Sequence, residues 1–577
     1  MGKDAEGYYF PDPDPQGIIE PYREAEAPPD DNTFEIALVM AGAISAGCYT
    51  AGVLDFLFEA LDAWENEKLK PDSSIPRHKV RVRVIAGASA GSMNAAIAAG
   101  ALRYKYPPLR PGMDPGLLNN PFYSGWVKDI DINKLLTVDD LEQSGVVKSL
   151  LNCDVLQAIT NKALDYSAEV TERAWLHERV RYIFTQTSLQ GIPYFFPITG
   201  NSTAGQAMTL HKTWSSFSVG YQANKPIKRR PDDVVLDPSF VKKTAIASWV
   251  ELGNAALASG AFPLALAPRY EKRNPQTLSY RFVTTTAPES NEVKIRQLFP
   301  EWDSHPPVPL SVNEYIVDGG VMDNEPMELA RKEMAGLACS NPRDGISARR
   351  AVIMIDPFPQ SAKSGREEPP APFTILNSIT GLFSAAFEQL RFNPDDLALA
   401  MDEKVYSRYL IAPVRSEDGN RREPDNTAIA SGSLGGFGGF LSEEYRHHDY
   451  TLGRRNCQQF LREYFSLPQG NRLFLAGDRH VPTGKGEYPL IPLAASVQPQ
   501  EPLPAWPTAP VDLEQLTERI DKRLKCIVRT FSKTYKASVL MSGMLRFVIV
   551  PILRRPLIGQ IKAYISKDLD KKQLPWF

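Results

Sequence analysis

The sequence predicts an α/β protein whose parallel sheet is covered by helices. Near the N-terminus the apolar run 36–39 has the composition of a buried strand, and a turn of small residues follows it. The next segment has apolar side chains at helical spacing, at Val53, Leu54, Leu57, Phe58 and Leu61, and acidic side chains on its opposite face. A second strand with alternating valines then leads into an alanine-rich helical stretch. Two strands joined through a helix in this way favour a parallel sheet.

The composition narrows the class of protein. The chain has 577 residues, of which 43% are hydrophobic and 23% are charged, and its formal net charge is −3. A chain of this length can bury a large core and typically forms two or more domains. The near-neutral charge argues against nucleic acid as a partner, because nucleic-acid-binding surfaces carry a surplus of basic residues.

Cysteine usage and the chain termini bear on localisation. Five cysteines without a Cys-x-x-Cys pair are typical of reduced thiols in a cytoplasmic protein, and the N-terminus lacks the apolar core of a signal peptide. The apolar run 537–553 is interrupted by Arg546 and Pro551, and it falls short of the ~20 uninterrupted residues of a membrane span. Basic residues around it would suit peripheral contact with an anionic lipid surface. The alternative is a helix packed on the main domain with a solvated basic face.

Composition also divides the chain into three parts. Residues 1–32 are rich in Pro, Asp and Glu and are expected to form an N-terminal arm. Residues 33–467 are expected to form the main α/β domain, with a helical insertion at about 105–175 and a linker-like loop at about 359–372. Residues 468–577 begin as a Pro-rich segment and continue as a helical C-terminal region, in which Leu513, Leu516 and Ile520 fall on one helix face.

The pentapeptide Gly87-Ala88-Ser89-Ala90-Gly91 is the feature most informative about function. It lies between the second strand and the alanine-rich helix, which is the arrangement of a nucleophile elbow. The turn is so tight that the neighbours of the serine must nearly lack side chains. The hydroxyl then projects from the strand end and meets the positive N-terminus of the helix. The pattern predicts a serine acyl hydrolase with Ser89 as nucleophile.

A serine hydroxyl needs a base that accepts its proton during attack. The chain has seven histidines, and none of them follows a strand end among small residues. By contrast, Tyr315-Ile316-Val317 has the pattern of a strand and is followed directly by Asp318-Gly319-Gly320. Ser89 and Asp318 would then both lie at the carboxyl edge of one parallel sheet, where α/β proteins build their sites. Asp318 is therefore the predicted base.

Three motifs in this order resemble those of the patatin-like phospholipases. They are Val39-Met40-Ala41-Gly42-Ala43-Ile44-Ser45-Ala46-Gly47, the pentapeptide around Ser89, and Asp318-Gly319-Gly320. The stretch Ser259–Pro263 is similar to a family segment between the serine and the aspartate, and Asp323–Pro326 is similar to one that follows the Asp-Gly pair. The resemblance covers about residues 33–360 and extends more weakly to 467.

The resemblance implies a three-layer α/β/α fold, a dyad of Ser89 and Asp318, and hydrolysis of acyl esters, often of phospholipids, without a metal or other cofactor. The backbone N–H groups of Gly42 and Ala43 would bind the oxyanion. The motif glycines Gly87, Gly91 and Gly319 surround the dyad. Attack by the serine would form an acyl-enzyme, and water activated by the aspartate would release a fatty acid.

The first motif departs from the commonest form in that family, which is three glycines followed by a basic residue. Here Ala41 and Ala43 replace the outer glycines and Ser45 takes the basic position. Alanine keeps its N–H but resists positive φ, so it fits the turn only where φ is negative. The missing cation weakens the case for a phospholipid substrate more than the case for an esterase.

Two other functions remain open. An α/β-hydrolase could use Ser89 in a Ser-His-Asp triad with a histidine such as His448, although that fold usually has its elbow after several strands. A lipid-binding or scaffolding protein of the same fold with little or no turnover would fit the altered oxyanion turn. The pair His447-His448 is expected on the surface, and the glycine-rich run 432–439 is expected to be a flexible loop or a lid.

Overall fold

The computed structural model describes residues 2–3, 9–10, 30–197, 205–221, 230–286, 293–301, 311–338, 341–359, 402, 404–415, 426–474, 479–534 and 550–577. Most of the predicted N-terminal arm, the linker-like loop and the apolar run 537–553 lie outside these residues. The boundaries of the three predicted parts stay predictions.

Within the described residues, a mixed sheet of eleven strands forms the centre of the fold. The strands are β1 (Thr33–Met40), β2 (Lys79–Gly87), β3 (Leu176–Pro197), β4 (Gly205–Val219), β5 (Asp233–Leu236), β6 (Arg269–Arg273), β7 (Arg281–Thr286), β8 (Val293–Pro300), β9 (Val312–Asp318), β10 (Arg350–Ile355) and β11 (Arg408–Ile411). The longer helices are α1 (Gly47–Lys68), α2 (Ala90–Ala101), α3 (Asp154–Leu164), α4 (Ala247–Ser259), α5 (Met327–Ala335), α6 (Glu443–Glu463), α7 (Leu513–Thr534) and α8 (Val550–Lys571). Short helices in the predicted insertion span Pro121–Tyr123, Ile132–Leu135 and Asp139–Ser144.

The strand order separates a parallel half of the sheet from an antiparallel half. Strands β11, β10, β1, β2 and β3 lie side by side and are parallel. Strand β3 then pairs antiparallel with β4, β8 and β9, and β9 pairs antiparallel with β6. Helical connections join the parallel strands at the start of the chain, as the alternation of patterns predicts. The predicted α/β class is confirmed.

The two faces of the sheet are covered by different helices. On β1 the side chains of Ile36, Leu38 and Met40 belong to a core cluster shared with α1, α2 and α6. The alternate residues Ala37 and Val39 belong to a cluster shared with α5 on the other face. Because successive strand residues point to opposite faces, this alternation gives three layers.

Helix α1 is buried on both sides, unlike the one-sided helix that its sequence predicts. Its acidic residues Asp55 and Glu59 are buried, and each carboxylate pairs with Arg454 of α6, at 2.5 and 2.7 Å. In the part of the chain that the structure describes, one helix, Ile44–Lys68, has the length and apolarity of a membrane span, and 89% of its apolar window is buried in the fold. The burial indicates that this helix is apolar because it lies in the core of the fold.

The predicted helical C-terminal region is confirmed. Helices α7 and α8 bury one face each in a second hydrophobic cluster, through Leu513, Leu516, Ile565 and Leu569. The same cluster takes side chains from the insertion and from the segment between β11 and α6. The C-terminal region is therefore packed onto the α/β part of the chain through an apolar interface.

Candidate active site

The segment between β2 and α2 forms the sharp turn that the sequence predicts. Ser89 joins the two elements with φ 51° and ψ −121°, a backbone conformation that residues with a side chain rarely adopt. A Cβ atom on Gly87 would lie 2.4 Å from the carbonyl carbon of Gly91, and one on Gly91 would lie 2.2 Å from the carbonyl oxygen of Met40. The close backbone approach therefore requires both glycines and fixes the strained serine between them.

Ser259, the last residue of α4, holds this turn from the neighbouring helix. Its hydroxyl accepts a hydrogen bond from the N–H of Ser89 at 2.9 Å and lies 2.8 Å from the hydroxyl of Ser92. Ser92 in turn donates to the carbonyl oxygen of Gly87 at 2.8 Å. Sequence reasoning missed this role, although the family-like stretch Ser259–Pro263 begins at this residue.

Asp318 meets Ser89 at the end of β9. The serine hydroxyl donates to Oδ2 of Asp318 at 2.6 Å, and Oδ1 accepts from the N–H of Gly320 at 2.7 Å. Ser89 is 5% exposed and Asp318 is 2% exposed, so water has little access to the bond between them. Among the described residues, Asp318 is the one hydrogen-bond partner of this hydroxyl. The structure thus brings the two predicted residues together.

Strand β3 sets the meeting point of the two residues. Gly87 at the end of β2 pairs with Phe184 of β3, and Asp318 pairs with Gln186, two residues further along. Since β9 is antiparallel to β3, the ends of β2 and β9 point toward each other along one edge of β3. The expectation that both site residues follow strands of one parallel sheet is therefore wrong for Asp318. A short apolar run has the same pattern in parallel and antiparallel pairs, so the sequence could not reveal the direction.

The turn after β1 carries the two amides predicted to bind an oxyanion. Gly42 lies against the serine, because a Cβ atom there would be 3.0 Å from Cβ of Ser89. The N–H of Gly42 donates to Oδ1 of Asn324 at 3.2 Å, whereas the N–H of Ala43 has no acceptor in the described chain. Ala43 has a negative φ of −146°, as the prediction requires of an alanine here, and the positive φ of 48° falls on Ile44. Of the two predicted donors, the N–H of Gly42 is thus hydrogen-bonded to a side chain, and the N–H of Ala43 is not hydrogen-bonded within the described residues.

Comparison with known proteins agrees with this arrangement. A family model described as patatin-like phospholipase matches residues 38–331. The chain belongs to this family. A relative from Sinorhizobium fredii (strain NBRC 101917 / NGR234), named "Uncharacterized protein y4iI", is 32% identical over 586 residues, which cover 93% of this chain and 81% of the relative. The predicted resemblance is confirmed, and membership in the patatin-like family indicates a hydrolase of lipid esters.

Ser45 stands where the patatin-like family commonly has a basic residue. Its buried hydroxyl donates to the carbonyl oxygen of Gly436 at 2.5 Å and accepts from the N–H of Gly439 at 2.9 Å. These glycines belong to two segments of 3₁₀ turns, Ala430–Gly436 and Gly438–Leu441, most of whose residues are buried. The first segment is interrupted by the non-helical residues Ser433, Leu434 and Gly435. The prediction of a flexible loop or lid here is wrong, because the run is packed against the oxyanion turn.

The adjacent histidines lie in α6, where His448 is buried and His447 is partly buried, so the prediction that they are surface residues is wrong for His448. Nδ1 of His448 lies 2.7 Å from Oδ1 of Asp449, and its ring packs edge-on against Trp506. His447 lies 2.8 Å from the hydroxyl of Tyr123, and burial lowers the pKa of this histidine. Among the described residues no histidine contacts the Ser89 hydroxyl, which leaves the alternative triad without support.

A narrow apolar cavity begins one helical turn beyond Ser89. Its volume is about 20 Å³, enough for one or two water molecules. It is lined by Met93, Ala96, Ile97, Gly125, Trp126, Ile130, Leu156, Ile159, Thr160, Ala163, Leu164 and Ala256. Its walls have the chemistry that an acyl chain requires, but a chain would enter only if some of these side chains moved apart.

Proposed function

We propose that this protein hydrolyses acyl esters of lipids, as a phospholipase A or esterase, with Ser89 as nucleophile and Asp318 as base. The observation that carries the proposal is the 2.6 Å hydrogen bond between these two buried side chains. Family membership supplies the substrate class, and the strained turn at the serine has the geometry of a nucleophile elbow.

In the acylation half of the reaction, the Ser89 hydroxyl gives its proton to Oδ2 of Asp318 as its oxygen attacks the ester carbonyl. The C=O bond opens to a tetrahedral oxyanion. When this intermediate collapses, the bond to the leaving alcohol breaks and the alcohol oxygen takes the proton from Asp318. An acyl group remains on Ser89. In the second half, Asp318 removes a proton from water, hydroxide attacks the acyl carbon, and Ser89 regains its proton as the fatty acid leaves.

The oxyanion is stabilised by the N–H groups of Gly42 and Ala43. Backbone amides are effective there because their direction is fixed before the reaction begins. The chain continues from this turn into the 3₁₀ segment Ile44–Ala46 and helix α1, whose N-terminal dipole favours negative charge at the same place. Asp318 is placed to act as the base because its Oδ2 already accepts the hydrogen bond of the Ser89 hydroxyl.

Active-site labelling with a fluorophosphonate, together with hydrolysis of a p-nitrophenyl ester, tests this proposal. Ser89→Ala is expected to abolish both, and Asp318→Asn to reduce hydrolysis by about 10³-fold or more. His448→Ala is the matched control and is expected to leave hydrolysis within about twofold. Loss of activity in His448→Ala alone would favour the triad. Tight lipid binding by a wild-type protein that neither labels nor turns over would favour a scaffold.

We also propose a cytoplasmic protein that contacts membranes peripherally. Supporting this, the segment that leads from Ser259 to the surface ends in Leu264, which is 80% exposed and has φ 67°. The N–H of Leu150, a residue that is 49% exposed, donates to the carbonyl oxygen of Leu264 at 2.9 Å, so the two exposed leucines lie side by side along the backbone. Exposed basic residues on α8, Lys567 and Lys571, would add attraction to anionic lipid.

Point variants test membrane contact better than removal of the C-terminal region, since removal would expose the apolar cluster beneath α7 and α8. Sedimentation with vesicles that contain anionic phospholipid should decrease for Leu264→Asp and for the double variant Lys567→Glu, Lys571→Glu. Hydrolysis of a short soluble ester should stay at the wild-type rate in both. Undiminished sedimentation of both variants would contradict membrane contact through these residues.

A further inference from the structure

The carboxamide of Asn324 lies between the two halves of the candidate site. Its Oδ1 accepts the N–H of Gly42 at 3.2 Å. A Cβ atom on Gly42 would fall 2.4 Å from this oxygen, and one on Gly320 would fall 2.7 Å from it and 3.0 Å from Oδ1 of Asp318. Asn324 is 4% exposed. Its amide therefore occupies the space beside Ser89 that the two glycines leave open.

The other end of this carboxamide has no partner. Nδ2 of Asn324 is buried and donates to no atom in the described chain. Leaving a buried donor unpaired is unfavourable, yet exchanging the oxygen and nitrogen would set Nδ2 against the N–H of Gly42, two donors without an acceptor. An acceptor inserted between them would satisfy both. The carbonyl oxygen of an ester, and the oxyanion formed from it, is an acceptor of this kind.

We propose that Asn324 is an oxyanion-site residue of the hydrolysis described above, and the assignment rests on that proposed function. In the resting protein its Oδ1 takes the place of the ester oxygen on the N–H of Gly42. When an ester binds, the ester oxygen takes that N–H, the amide turns about χ2, and Nδ2 donates to the developing oxyanion. This torsion is broad for asparagine, so the change requires no backbone movement.

The assignment also addresses the missing cation of the oxyanion turn. Ser45 is tied to Gly436 and Gly439 and carries no charge, and the N–H of Ser89 is already bonded to Ser259. The backbone amides of Gly42 and Ala43 would otherwise act alone. A side-chain amide is an established type of oxyanion donor, and Nδ2 would supply a third hydrogen bond.

The test compares the wild type with Asn324→Ala, Asn324→Asp and Asn324→Ser. Asp323→Asn is the control in the same loop, because the Asp323 carboxylate pairs at 2.9 Å with the half-exposed Lys212. One probe is a p-nitrophenyl ester, which gives kcat and KM. The other is a trifluoromethyl ketone of equal acyl length, whose adduct with the serine carries an oxyanion. Thermal unfolding of each variant shows whether it is folded.

Asn324→Ala is expected to lower kcat by about 100-fold with KM within about twofold, and to raise the Ki of the ketone by a similar factor. Asn324→Ser retains a donor and is expected to recover part of this loss. Asn324→Asp can accept from Gly42 but cannot donate when ionised. It is expected to lose at least as much activity and to regain some as pH falls and the new carboxyl acquires a proton.

A purely structural bond between Asn324 and Gly42 makes the opposite prediction. Asn324→Asp would then stay near the wild type, and the Ki of the ketone would not follow kcat across the variants. Either result overturns the assignment, as does Asn324→Ala with kcat within about threefold of the wild type. A wild-type protein that neither hydrolyses the ester nor reacts with a fluorophosphonate would overturn the proposed function itself, so the two failures are distinguishable.

Discussion

The turns that follow β1 and β2 both hold a non-glycine residue at positive φ, but they are stabilised in different ways. Ser89 has φ 51° and is fixed by glycines two residues away on either side. Ile44 has φ 48°, and its neighbour Ser45 bonds to Gly436 and Gly439, which lie 391 and 394 residues further along the chain. The nucleophile turn is thus specified locally, whereas the oxyanion turn depends on a distant segment. A substitution in that segment should alter catalysis without touching either motif.

The largest effect is expected from Gly91→Ala in the nucleophile turn. The added Cβ would meet the carbonyl oxygen of Met40, a backbone atom that cannot yield without moving β1. We expect hydrolysis to fall by about 10³-fold or more, since displacement of the nucleophile removes the attack geometry. Gly484→Ala is the control, because no atom beyond the adjacent residues would lie within 4 Å of a Cβ atom at that position. An active Gly91→Ala protein with an unchanged unfolding temperature would contradict the claim that the neighbouring glycines fix the turn at Ser89.

The same contrast explains how much the sequence could predict. The turn around Ser89 and the strand before Asp318 are short-range patterns, so the two residues of the proposed dyad could be named from them. The bonds from Ser89 to Ser259 and from Gly42 to Asn324 join residues 170 and 282 positions apart. They exist because β3 aligns β2 with β9 and because α4 ends beside the turn. No local periodicity encodes either fact.

The direction of β9 and the burial of the glycine-rich run could not be predicted for a similar reason. A short strand has one pattern in both directions, and a run of glycines fits a flexible loop as well as a packed 3₁₀ segment. What decides the second case is Ser45, whose hydroxyl bonds to two backbone groups of that run. The family motif has a basic residue there, so the resemblance alone pointed away from this contact.

A smaller effect is expected from Ser259→Ala, which tests the support of the nucleophile turn from outside. The change leaves the N–H of Ser89 without its acceptor, and an unpaired buried donor costs about 1–3 kcal/mol. We expect kcat to fall by about tenfold and the unfolding temperature by several degrees. Ser92→Ala removes a neighbouring bond to Ser259 but keeps the one to Ser89. Equal loss in both variants would mean that general packing, rather than the bond to Ser89, matters.

Ser45→Ala tests the distant support of the oxyanion turn and is expected to have a smaller effect again. It removes the bonds to Gly436 and Gly439 without adding volume. We expect kcat to fall by a few-fold, because the amides of the turn would be less well fixed, while KM for a short ester stays within about twofold. A lower unfolding temperature with an unchanged kcat would show that the glycine-rich run serves stability alone.

The smallest effect on turnover at neutral pH is expected from Glu333, which lies outside both turns. This carboxyl group affects how stable the folded protein is at low pH. Burial alone would raise the pKa of Glu333 on α5, but the neighbouring guanidinium groups of Arg181, Arg230 and Arg179 outweigh it and lower the pKa to about 2. A carboxyl with a lowered pKa in the folded state stabilises the fold at pH values above its unfolded pKa of 4.5. That stability is lost as pH falls toward 2, and the whole difference corresponds to roughly 3 kcal/mol.

Glu333→Gln is therefore expected to be less stable at pH 7, and its free energy of unfolding is expected to change less between pH 4.5 and 2. The kcat of the folded protein is expected to be nearly unchanged. Urea unfolding at several pH values measures this, and a parallel shift of both curves would contradict it. The tests of the two turns belong near pH 7, where the contribution of Glu333 to stability is complete.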